Sequence, residues 1–154
     1  MNTKTNNSYV KTILLILIFA SFSSLSLASS DKDSQQFYKA YLNREDSVQK
    51  VDVMVDSFYF KPDHLEVLVN QPVQIRLRSV TSLIEHDFTL KAPEAGMNIS
   101  KDIPHGKDVS VKFTPTRTGD YEFYCDKKAF FGLFSHKDKG MKGILRVVQH
   151  VSSP

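Results

Sequence analysis

At 154 residues, 41% of them hydrophobic, the chain is long enough for one real core and too short for a string of domains. Its net charge of +3 leans on Lys4 and Lys11; beyond residue 28 there are 18 basic residues against 17 acidic, which gives no argument for nucleic acid as a partner. The single cysteine, Cys125, excludes an internal disulfide.

Residues 1–28 read as a secretory signal. Lys4 and Lys11 give the positive start, Ile13 to Phe22 (ILLILIFASF) the short apolar run, and Ser26 to Ala28 (SLA) small residues at the cleavage spacing. The run is shorter than the roughly 20 residues a spanning helix needs, so no stable membrane insertion is expected after cleavage. The location that follows is periplasmic or secreted. Residues 29–50 are polar around the patch FYKAYL and read as a mobile leader or a short helix, with Phe37, Tyr38 and Tyr41 free either to dock on the domain or to mark a partner site.

From residue 51 to 154 the pattern belongs to a single β domain. Val51, Val53 and Val55 alternate with polar residues, as do Leu65, Val67 and Val69, then Val73, Ile75 and Leu77, then Val109, Val111 and Phe113; ILRVV closes the series. Turn material at Lys61, Asn70 and Phe113 to Asp120 separates these runs. Six or seven short strands without a long helical pattern predict an all-β fold, an antiparallel β-sandwich. The stretch from Lys91 to Lys107 lacks this period and reads as a surface excursion or a segment with a helical turn.

Two runs carry chemistry. In HDFTL the alternation puts His86 on the side of Phe88 and Leu90; in YEFYC it puts Cys125 on the side of Tyr121 and Phe123. An inward imidazole and an inward thiol thus stand at the ends of two strands. His136 follows the cysteine by eleven residues and Met141 by sixteen. One thiolate, two imidazoles and a thioether form the soft mixed set that suits copper, and a metal-held thiolate needs no disulfide partner. Each residue also has a plainer role open to it. Cys125 could be a small buried hydrophobe, His86 a core-edge histidine bonded to a carbonyl, His136 a solvated loop residue. Met141 could be a core methionine, with Met97 or Glu85 in its place at the site. His64, His105 and His150 sit by turns or at the tail and read as surface residues.

Across about Val51 to Val148 the sequence resembles the cupredoxins, the blue-copper family of plastocyanin and azurin. The segments that carry the likeness are FYFKPDHLEV, EHDFTL and the closing YC…H…GMKGILRV. The resemblance implies a Greek-key sandwich holding one copper ion that cycles between Cu(I) and Cu(II). His86, Cys125 and His136 would be its equatorial ligands and Met141 the axial one. It implies a one-electron carrier and no enzyme; a periplasmic copper-binding protein for tolerance or delivery is the alternative. Cupredoxins usually place the second histidine two to four residues after the cysteine, whereas ten residues intervene here. Length alone costs little, about 0.6 kcal/mol per doubling of a loop. A second cysteine, needed for a dinuclear site, is absent from the sequence.

The inserted loop is both greasy and basic. Phe130, Phe131, Leu133 and Phe134 could fold over the metal or form an exposed docking patch. Lys127, Lys128, Lys137, Lys139 and Lys142 outnumber Asp126 and Asp138, a local charge of +3. A transient redox protein with an acidic surface, docking near the Lys127 to Lys142 loop on a monomer, is the partner these residues suggest.

Overall fold

The computed structural model describes residues 36–129 and 132–149, so the expected signal and Phe130, Phe131 and His150 lie outside the described residues. The strands are β1 (Tyr38–Lys39), β2 (Tyr41–Asn43), β3 (Val48–Asp56), β4 (Tyr59–Lys61), β5 (His64–Leu68), β6 (Val73–Ser79), β7 (His86–Ala92), β8 (Met97–Ile103), β9 (Asp108–Phe113), β10 (Gly119–Tyr124), β11 (Lys128–Ala129), β12 (Phe134–Ser135) and β13 (Lys142–Val148). One sheet runs β1-β5-β13-β10-β7-β8; the other runs β2-β3-β6-β9 with β4 also on β3; β11 and β12 form a separate hairpin. The sandwich is mixed rather than wholly antiparallel. β13 pairs with β5 in parallel, as does β1, and β3 pairs with β6 in parallel, because the chain crosses between sheets and lays distant strands side by side.

Period-two patterning fills the space between the sheets. Val51, Val53 and Val55 of β3 and Ile75 and Leu77 of β6 face Leu65, Val67, Phe88, Leu90, Phe123, Leu145 and Val147 of the other sheet, all buried. Phe60, Phe88 and Phe123 pack as a trio with ring centroids 5.1 to 6.1 Å apart. Each contributes about 1.5–3 kcal/mol through burial. The trio lies directly beneath the metal-ligand candidates, since Phe88 and Phe123 stand two residues from His86 and Cys125.

The stretch expected as a leader or short helix carries β1, β2 and the start of β3. β1 lies along the edge of β5, and Ala40 donates its N–H to the Glu66 carbonyl (2.9 Å) before β2 pairs with β3 in the other sheet. Phe37 rests edge-on to His64, with its ring under the Arg146 guanidinium, 3.8 Å from the centroid. His64, expected at the surface, is therefore half-buried. The segment straps one open side of the sandwich, a role that local polarity does not announce. Gln49 makes a second link between the sheets. Its buried side chain accepts from the Leu68 N–H (2.6 Å) and donates to the Leu68 carbonyl (3.0 Å), standing in for a rung of backbone.

The stretch from Lys91 to Lys107 holds a 3-10 turn at Pro93–Ala95 and then a full strand, β8. Only Met97 and Ile103, its two ends, are buried, so no alternation marks this edge strand.

Candidate metal centre

β7 begins, β10 ends and β13 begins at one end of the sandwich, and there His86, Cys125 and Met141 come together. Sγ of Cys125 lies 3.3 Å from Nδ1 of His136 and 3.9 Å from Nδ1 of His86, and the two nitrogens are 3.2 Å apart. A circle through the corners of that triangle has a radius of about 2.0 Å, close to the bond lengths of about 2.0–2.3 Å that a first-row metal makes to imidazole nitrogen and thiolate sulfur. Among the described residues these three form the one group of His, Cys, Asp or Glu side chains placed to share an ion, and all are buried. Nδ1 is the nitrogen of His86 that faces the cluster, while its Nε2 is buried and finds no partner among the described residues.

Met141 is fully buried and joined to both neighbours through the backbone: Cys125 donates its N–H to the Met141 carbonyl (3.1 Å), and Met141 donates to the His136 carbonyl (3.0 Å). Of the two other candidates for its place, Met97 starts β8 opposite Ala92, at the far end of the β7–β8 pair, and Glu85 is exposed.

The described residues of the loop after Cys125, 126–129 and 132–135, are ordered by backbone bonds. Their base is closed by the N–H of His136 on the Lys127 carbonyl (2.9 Å), and above it Lys128 pairs with Ser135 and Ala129 with Phe134 as a hairpin. These described residues form the two sides of a finger that leaves from the site and returns to it. Two lysines brace its base. Lys127 pairs with Asp102 on β8 at 2.7 Å, while Lys137 pairs with Glu122 and lies over the Tyr124 ring, 4.0 Å from its centroid. Leu133 and Phe134 are 75% and 47% exposed, and Lys139 sits over the Phe134 ring.

A profile of the cupredoxin-like domain matches residues 12–140. The chain belongs to the cupredoxin family. A sequence search among curated proteins matches none. Solved structures share its fold. The metal-binding domain of the Streptococcus pneumoniae Cu(I)-exporting P-type ATPase CopA aligns with a TM-score of 0.56 at 21% identity, covering 75% of this chain and 98% of that one. A copper-binding protein solved in the apo form aligns at 0.54 and 19% identity, covering 74% and 99%. Auracyanin from Roseiflexus castenholzii aligns at 0.53 and 18% identity, covering 64% and 96%.

In this cupredoxin the environment keeps the metal-free donors uncharged. Burial, then the neighbouring His136, lowers the His86 pKa to about 4, with Asp56 opposing. Burial lowers that of His136 too. Burial raises the Cys125 thiol to about 11, opposed by the backbone amides of Asp87 and Lys127. Two neutral imidazoles therefore offer lone pairs, and the thiol proton is the one that must leave when a cation binds. The donor set fits a single copper ion, which soft sulfur and imidazole ligands favour.

Sequence patterning passed over Asp87. Its N–H points at the Cys125 sulfur (3.4 Å), and its carboxylate accepts from the Asp126 N–H (2.7 Å) and the Thr89 hydroxyl (3.4 Å). It thus ties the start of β7 to the residue after the cysteine. Burial raises its pKa, with the Asp126 amide opposing. The available signal was an acidic residue directly beside a candidate ligand at the start of a core strand.

Proposed function

We propose that this cupredoxin is an exported one-electron carrier that uses a mononuclear type 1 copper site of Cys125, His86 and His136 with Met141 as the weak fourth ligand. The buried donor triangle carries this reading. Copper, when bound there, supplies a Cu(I)/Cu(II) couple. The chain's part is to hold the donors still: His86 by its place in β7, Cys125 and Met141 by their mutual backbone bond, His136 by the closed base of the finger. Donors fixed in this way reorganise little when an electron arrives, and burial keeps bulk water from adding ligands. No substrate is turned over in this scheme.

Export rests on the signal-like residues 1–28, and no helix among the described residues is long and apolar enough to cross a membrane. The partner that fits is a redox protein with an acidic surface around an apolar spot, meeting Leu133, Phe134 and the lysines of the Lys127 to Lys142 segment. Pairing of Lys127 with Asp102 and of Lys137 with Glu122 offsets part of that charge, which leaves Lys128, Lys139 and Lys142 as its main source.

The test is to load the protein lacking residues 1–28 with one Cu(II). An intense visible thiolate-to-copper band, its loss in Cys125→Ser, and reversible one-electron titration at constant copper content are expected. A colourless complex that passes its copper to other proteins without cycling would replace this reading with copper tolerance or delivery.

A further inference from the structure

Phe58 is the second residue of the two-residue turn between Asp56 and Tyr59, which pair across the β3–β4 hairpin. Its φ is +64°, the left-handed region that glycine or asparagine fills in such turns and that a bulky side chain ordinarily avoids. The turn is braced rather than slack. The Asp56 carboxylate accepts from the Ser57 N–H (2.7 Å) and from the Tyr59 hydroxyl (2.9 Å). A residue kept in a costly conformation by well-made surroundings points to a task for its side chain.

That side chain meets His136. The Phe58 ring stands edge-on to the imidazole, centroids 5.0 Å apart at 83°, while His86 flanks it at 5.1 Å and 61°. The backbone of His136 is set by its bonds to Lys127 and Met141, yet those bonds leave the ring free to turn about its side-chain torsions. The backbone of His86 is held by the sheet, through pairing with Ile103 of β8.

We propose that Phe58 is a positioning residue for His136: its ring, presented by the left-handed turn, fixes the imidazole plane so that Nδ1 faces the Cys125 sulfur. This rests on the copper reading of the site only for its consequence at the metal; the ring contact itself stands in the metal-free protein.

Three variants separate a positioning ring from mere bulk. Phe58→Gly relieves the backbone and removes the ring, Phe58→Leu keeps apolar volume, and Phe58→Tyr keeps the ring. In the metal-free protein, NOEs from the His136 ring protons to Cys125 and His86 should change in the Gly and Leu variants and persist in Tyr. A chemical-shift change alone does not count, because loss of the Phe58 ring current moves the imidazole signals even when the ring stays put. In the Cu(II) form, the Gly and Leu variants should alter the parallel copper hyperfine coupling and the visible band ratio. They should also lose copper to a chelator about tenfold faster, the scale on which supporting residues act. Phe58→Leu with unchanged His136 ring NOEs and an unchanged chelator rate would overturn the proposal. A wild type that takes copper without colour would instead sink the electron-carrier reading, and the metal-free NMR would still decide the role of Phe58.

Discussion

His86 and His136 offer the same nitrogen to the same point from opposite kinds of structure. His86 is the first residue of a strand held between β10 and β8, and the sheet places it; His136 returns from a ten-residue excursion and is placed by a few local bonds. Strand placement is robust and fixes register. Loop placement lets length vary freely, provided the base is closed. The site therefore combines one histidine that cannot be moved without disturbing the core with one whose supports can be altered singly.

Acid should disturb both histidines together and give the largest effect. Their folded-state pKa values are depressed, so the unfolded chain binds these protons more tightly and stability falls as pH drops from about 6.5 toward 4. For His86 alone the loss approaches about 3 kcal/mol at the lower end. Denaturant unfolding of the metal-free protein at pH 7 and pH 4 measures it, and His86→Gln should flatten the difference. A pH-independent midpoint would mean that the imidazoles are solvated. The strand side is probed next by Asp87→Ala, which leaves the Asp126 N–H without its acceptor and should cost about 1–3 kcal/mol. Asp87→Asn keeps an acceptor and should cost under half as much; equal losses in the two variants would show that charge, not the hydrogen bond, matters. The loop side should respond least. Replacing residues 130–133 with Asn-Gly joins Ala129 to Phe134 by a two-residue turn, and stability should change by less than about 1 kcal/mol. The copper spectrum should be unchanged; a shifted band would mean that the tip reaches the metal.

Much of this design is legible in the sequence, because burial on one face of a strand writes itself as alternation. Val51 to Val55, Val73 to Leu77 and the inward side of His86 and Cys125 follow from that period alone. β8 escapes because an edge strand buries only its ends. The 36–43 strap escapes because two short pairings across different sheets leave no local pattern. Phe58 and Asp87 escape for a different reason: the left-handed φ of one and the buried carboxylate of the other acquire meaning only when β3, β7 and the finger base meet. The length of the loop after Cys125 is plain in the sequence, but its folding into a closed hairpin depends on the Lys127–His136 bond between residues nine apart.

Gly143 bears on how faithfully this centre assembles. A Cβ there would run into the Asp63 carbonyl and the Phe123 ring, so only the bare backbone fits between them. Slide β13 by one residue in either direction and Lys142 or Ile144 is driven into that gap. The glycine thus acts as a keyway, and a chain that closes its last strand in the correct register has already brought Met141 level with Cys125.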